Sequence, residues 1–232
     1  TGRMSDGFDL ASSRNRPVEQ PRVAMLVEPP FNTYTCGQVY FLFDQETAFP
    51  IDRIRTSAFA QTNMPKLGQR YGYVDINNYD VLILPVGRYL NRIFWQEQRL
   101  QINQWLQRGG TLIALEEAAR FFTTEGKFGK VELVKSIPDT SEAAKYLTYA
   151  EQETYRGLKR IPGSALRTNI DTTHPLAFGV RLEVLGLNIN TYALEPATVL
   201  ESLGTYHQKP GEALTSGFVS LENMICLAAN VF

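Results

Sequence analysis

The sequence predicts an α/β fold, a three-layer α/β/α sandwich on a mainly parallel sheet. Three observations predict it. Short continuous apolar runs in RVAMLVE, NYDVLILPVG and TLIAL have the composition of strands buried on both faces. An amphipathic stretch, FWQEQRLQINQWLQRGG, separates the last two, and strand–helix–strand alternation builds parallel sheets through right-handed crossovers. A length of 232 residues, 44% hydrophobic and 20% charged, suits one large domain of ordinary globular composition.

Residues 1–20 keep neither a helical nor a strand period and read as a linker, with Arg14, Arg16 and the following Arg22 as its solvated charges. One ordered domain is expected from 21 to 232. Its first strand, RVAMLVE, stops at Pro29-Pro30. TYTCGQVYFLFDQETAF then sets Val39, Tyr40, Leu42, Phe43 and Ala48 along a helical face, with Thr35 as the expected N-cap. PIDRIRTSAF offers a second, weaker strand. DVLILPVG follows as the third, entered at Asp80 and left at Gly87. Trp95, Leu100, Ile102, Trp105 and Leu106 recur at helical spacing, and Gly109-Gly110 caps that helix ahead of the buried strand TLIAL.

Residues 122–163 read as a partly irregular insertion over the end of the sheet, with short helices at 142–147 and 151–158. SALRTNI, EVLGLNI and ATVLESL read as further strands. SLENMICLAANVF reads as a helix without a cap or polar tail, which leads us to expect a parent chain that continues past Phe232; the start at Thr1 points to an excised piece in the same way.

Charge and cysteine usage narrow the function classes. Lys and Arg number 23 against 24 Asp and Glu, so no global field exists to hold a polyanion, and nucleic acid is excluded as the expected partner. No run reaches the ~20 apolar residues of a membrane helix. Cys36 and Cys226 are too few and too distant for a disulfide framework or a zinc knuckle.

In parallel sheets ligands sit beyond the carboxyl ends of the strands, and the candidate site residues come from those places. They are Glu28, Asn32, Thr35, Cys36 and Gln38 after the first strand, Gly87 and Arg88 after the third, and Glu116 and Glu117, with Arg120 nearby, after TLIAL. His174, in THPLAFG beside Thr173, completes the crevice. Each has a structural alternative. Cys36 near a helix amino end is a nucleophile or a small buried hydrophobe, and with no His close in sequence the second is preferred. Glu116 and Glu117 hold an amine, a cation or a sugar, or stabilise a helix start. His174 touches a ligand or fixes its own loop, the latter preferred. Tyr34, Tyr40, Tyr71 and Tyr73 line a pocket or pack with their hydroxyls at the surface.

YDVLILPVG followed by a helix and RGGTLIALEEAARFF resembles the central stretch of the class I glutamine amidotransferase-like fold, a flavodoxin-like sandwich. More narrowly, RVAMLVEPPFNTYTCGQVYFLFDQET, PIDRIRTS, LGQRYGYVDINNYDVLILPVG and THPLAFG resemble the amidotransferase-like domain C-terminal to the catalytic domain of certain bacterial zinc carboxypeptidases. The resemblance runs from Pro21 to about Gly179 and more loosely to Asn223.

Position by position, the resemblance implies a silent site. Active relatives carry a nucleophilic Cys on the turn after the strand matching TLIAL, where this chain reads Leu115-Glu116-Glu117-Ala118. The two glycines expected after the strand-ending proline are here Val86-Gly87, and the His-x-Glu pair is missing, since Pro175 follows His174 and Gln208 follows His207. Neither His stands in an HxxE zinc motif. The resemblance therefore implies a non-catalytic binding domain without cofactor, serving an upstream zinc carboxypeptidase domain of one exported polypeptide, periplasmic or extracellular, with a peptide or small molecule as its ligand. The alternatives are an independent hydrolase using Cys36 or Glu116 with His174, and a small-molecule sensor.

Overall fold

A computed structural model describes residues 12, 19–60, 74–124, 131–132, 146–158, 161, 163–188, 201–207 and 210–219. Contacts divide the chain into two compact units, Thr1–Gly126 and Lys127–Phe232, where the sequence reading runs one domain from residue 21. Arg14, Arg16, Tyr71, Tyr73, Cys226, most of the stretch 142–147 and the expected closing helix lie outside the described residues.

The first unit runs β1 (Val23–Val27), α1 (Thr33–Phe41), β2 (Ile51–Arg55), α2 (Thr56–Ala60), β3 (Val81–Leu84), α3 (Gln96–Gln107), β4 (Thr111–Ala114) and α4 (Glu117–Thr124). Its four strands pair in parallel in the order β2-β1-β3-β4. The chain steps from β1 to one side and from β3 to the other. Right-handed crossovers therefore put α1 and α3 on opposite faces, which is the doubly wound, flavodoxin-like arrangement. The expected fold class describes this unit.

Its core follows from the apolar runs. Ala24, Met25 and Leu26 of β1 and Leu82, Ile83 and Leu84 of β3 are buried. Phe94 meets Phe59, Phe121 and Phe122 with ring centroids 5.8, 6.0 and 5.0 Å apart, which joins α2 and α4 in one aromatic cluster. Helix α3 ends in a Schellman motif, with Gly110 N–H donating to the Trp105 carbonyl and Gly109 N–H to that of Leu106; Gly109 takes φ +101°.

Four local expectations are corrected. Asn32, not Thr35, caps α1, its Oδ1 accepting from Tyr34 N–H at 2.8 Å and Thr35 N–H at 3.3 Å. Both types cap well, and the chain turns at Pro29-Pro30, which is cis, early enough for Asn32 to stand at the helix start. The helix is also shorter than expected: a π-helical turn replaces it over Leu42–Glu46, and Ala48 lies beyond at φ +49°. Arg22 is not a linker charge, because its backbone N–H donates to Asp80 Oδ2 at 2.7 Å and its guanidinium stands 3.6 Å from the same oxygen. TLIAL is not buried on both faces. β4 ends the order of described strands, and Ile113 is 42% exposed.

The second unit contains α5 (Tyr149–Leu158), β5 (Ser164–Ile170), β6 (Glu183–Asn188), β7 (Gly204–Tyr206), α6 (Pro210–Ala213) and β8 (Leu214–Ser216). SALRTNI and EVLGLNI do form strands, but in a separate antiparallel sheet ordered β6-β5-β7, with β8 also paired to β5. Their burial alternates along the chain, as in a sheet with one covered face. Leu166 packs inward with Ile161, Ala213 and Val219, while Leu185 and Leu187 point outward at 60% and 75% exposure. The described part of ATVLESL, Glu201–Leu203, precedes β7 and is not strand. Thr148 and Glu151 form a capping box at the start of α5, with Thr148 N–H donating to Glu151 Oε2 at 2.8 Å.

Candidate functional site

The carboxyl end of the parallel sheet is where the backbone is most strained. Of four described non-glycine residues with positive φ, three stand there: Glu28 at 75° directly after β1, Tyr89 at 57° after β3, and Glu116 at 46° in the β4–α4 turn. Such conformations cost about 1–3 kcal/mol each and collect at functional sites.

The fold's switch point lies between β1 and β3, where crevices in such sheets usually open. Here hydrogen bonds join the two loops across it. Phe31 and Gly87 form an isolated antiparallel bridge, with Asn32 N–H donating to Val86 O at 2.7 Å and Arg88 N–H to Pro30 O at 3.3 Å. Gly87 is required by this closeness, since a Cβ there would stand 2.8 Å from the Leu90 side chain and 2.9 Å from the Phe31 ring. Thr56 Oγ1 donates to Pro29 O at 3.0 Å and Arg55 stands 3.3 Å from the Glu28 carboxylate, tying the β1 loop to β2 as well.

The open cleft lies one strand over. It encloses about 350 Å³ between the loop after β3 and helix α4, and is lined by Gly87, Arg88, Tyr89, Leu90 and Asn91 on one side and Glu117, Arg120, Phe121 and Thr124 on the other. The four α4 residues are spaced i, i+3, i+4 and i+7, so one helical face lines the cleft. Glu117 Oε2 accepts from Arg120 Nη1 at 3.0 Å. Tyr89 projects at 69% exposure with the Arg92 guanidinium 4.9 Å from its ring centroid.

The sequence-derived candidates separate accordingly. Gly87, Arg88 and Glu117 line the cleft, and Glu116 forms the turn beside it. Glu28 and Asn32 are engaged in holding the β1 loop and the α1 start, while Gln38 is exposed on α1 and Thr35 half-buried there. Cys36 is 8% exposed, its Sγ lies 4.0 Å from the Leu26 carbonyl, and burial pushes its thiol pKa up, away from the thiolate a nucleophile needs.

His174 belongs to the second unit. Its Nδ1 accepts from Leu176 N–H at 3.1 Å and its Nε2 stands 3.5 Å from Glu201, which is the loop-fixing role. The other histidine, His207, stands 3.5 Å from Glu183 and 3.9 Å from Glu212 in that same unit. Among the described residues no three His, Cys, Asp or Glu side chains gather as a metal site, and no helix is long and apolar enough to cross a membrane. Tyr89, Asn91, Phe121 and Thr124 are cleft residues that the sequence reading does not single out. Extending the helical spacing from Glu117 finds Phe121 and Thr124; no sequence signal marks Tyr89.

No family model and no curated protein matches the chain. Among solved structures, a glutamine amidotransferase from Thermotoga maritima is similar at 10% identity and TM-score 0.48, covering 88% of this chain and 73% of its own. A protein from Thermoplasma acidophilum, provisionally assigned as one component of a GMP synthase, is similar at 9% identity and TM-score 0.45, covering 91% and 96%. The fold assignment stands on strand order and register, not on these likenesses.

Proposed function

We propose that this chain is a non-catalytic, amidotransferase-like binding domain that serves a catalytic domain elsewhere in its polypeptide. The observation that carries the reading is the β4–α4 turn. The amidotransferases that the sequence resembles carry their nucleophile on the turn after the strand matching β4, and here Glu116 occupies that strand-to-helix corner at φ +46°. The only described cysteine is Cys36, buried on the inner face of α1 with its thiol pKa raised. A carboxylate at a helix start is a stable anion.

On the resemblance of the sequence to the domains that follow bacterial zinc carboxypeptidases, the parent is an exported metallopeptidase. Zinc and peptide hydrolysis then belong to its upstream domain, and this chain itself needs no cofactor. The purified chain, incubated with glutamine, is expected to release no ammonia above buffer and to contain less than a tenth of an equivalent of zinc. Glutaminase activity lost in Cys36→Ala, or one equivalent of zinc, overturns the reading. An HxxE motif encoded upstream of Thr1 would fix the parent's chemistry.

The cleft of about 350 Å³ favours a second reading, a sensor for a small molecule. A metabolite that raises the Tm of the isolated chain in a screen supports it, and a screen that finds no such metabolite counts against it.

A further inference from the structure

The geometry points to the cleft between the β3 loop and α4 as a site for a small organic monoanion, a carboxylate with a short apolar or aromatic body, with Arg88 as its charge partner. The inference rests on reading the crevice as a binding site.

Three charged side chains line the cleft: Arg88, Arg120 and Glu117. Arg120 and Glu117 meet each other at 3.0 Å, so their charges largely cancel within the wall. Among the described residues no carboxylate pairs with Arg88, so its exposed guanidinium is the one lining charge open to an anionic ligand. A guanidinium fork fits the two oxygens of a carboxylate.

The rest of the lining selects among anions. Leu90, Phe121 and the ring of Tyr89 supply apolar surface for a ligand body, while Asn91 and Thr124 supply neutral polar groups at the same wall. Bare phosphate has no body to use that surface. At neutral pH it also brings a second negative charge beside Glu117. Arg88 is also held in place from behind. Its backbone N–H donates to Pro30 O, 3.3 Å away, beside the Phe31–Gly87 bridge. A ligand therefore meets a loop ordered in advance, which limits the entropy lost on binding.

Sodium benzoate and inorganic phosphate, titrated into the full chain at constant ionic strength, test this by amide chemical shifts. Benzoate is expected to give saturable shifts at Tyr89 and Arg120, with phosphate at least tenfold weaker. Arg88→Gln should weaken benzoate at least tenfold, Arg88→Lys should retain part of that affinity, and Arg108→Gln, before the opposite end of β4, should leave it unchanged. Dispersion of the same spectra reports that each variant is folded. No saturable benzoate shift, benzoate binding indifferent to Arg88→Gln and Arg88→Lys alike, or phosphate binding as tightly as benzoate overturns the inference. A chain that ignores benzoate and also leaves glutamine intact overturns this inference alone; glutamine hydrolysis overturns the non-catalytic reading whatever benzoate does.

Discussion

Trp105 and Gly110 occupy one another's space: a Cβ on Gly110 would lie 2.2 Å from the Trp105 ring. That ring is fixed, because its Nε1–H donates to the Tyr79 carbonyl at 2.9 Å and the residue is only 3% exposed. Gly110→Ala must therefore displace backbone or indole. We expect a loss of about 3 kcal/mol in urea unfolding, against about 1 kcal/mol for Gly109→Ala, which meets only the cost of φ +101° and has no atom within 4 Å of its added Cβ.

Glu116 gives a test of the corner. Its φ of +46° suits Gly or Asn and penalises branching at Cβ. Glu116→Asn should leave stability within about 0.5 kcal/mol, whereas Glu116→Val should cost about 1–2 kcal/mol. Chemical denaturation of the two variants side by side checks the order. Equal stabilities would mean that the corner relaxes.

Cys36 should resist alkylation in the folded chain and react on unfolding. Mass mapping of the Cys36 peptide after iodoacetamide at pH 8, with and without urea, reads this directly. The same burial sets a pH dependence. The folded thiol's pKa is raised above its ordinary 9.0, so the unfolded chain loses that proton first, and stability falls as pH climbs past about 9. Tyr79 and Tyr206, both raised from 10.0 chiefly by burial, extend the loss to higher pH. Cys36→Ala should flatten the first part of that decline in a series of Tm measurements.

On the acid side the sign reverses. The Glu151 carboxyl is held low by hydrogen bonds from Thr148, and the Asp171 carboxyl by hydrogen bonds from Thr173. Their contributions are present above the ordinary carboxylate range and fade as pH falls through the lowered values. Thr148→Ala should remove the hydroxyl half of the α5 cap while its backbone N–H still donates to Glu151, at a cost of about 1 kcal/mol at pH 7. That difference from the parent chain should shrink by pH 2.

In the second sheet, neighbouring strands carry opposite expectations. Leu166→Ala empties a fully buried position and should cost about 2–5 kcal/mol. Leu187→Ser, at 75% exposure on the outer face, should stay within about 0.5 kcal/mol. Thermal unfolding of both variants is sufficient to compare them.

How much of this is legible in the sequence depends on which force sets each element. Continuous burial makes β1 and β3 plain, because VAMLV and VLIL leave no polar face. The glycine pair after Leu106 announces the end of α3. SALRTNI reads as a strand but not as the start of an antiparallel sheet, although its alternation carries that signal: Arg167 and Asn169 stand outward while Leu166 and Thr168 stand inward. The acidic corner after TLIAL is legible in the sequence. Its left-handed backbone is not, because parallel pairing of β4 and the onset of α4 impose that angle, and Glu itself does not prefer it. The cleft's position is the least visible part. It depends on hydrogen bonds between residues 30 and 32 on one loop and 86 and 88 on the other, which no local pattern reveals.

The Phe31–Gly87 bridge makes two distant stretches of sequence a single mechanical piece. The cap of the first helix and the loop that carries Arg88 share its backbone hydrogen bonds, Asn32 N–H to Val86 O and Arg88 N–H to Pro30 O, so a substitution that breaks the rung loosens both ends at once.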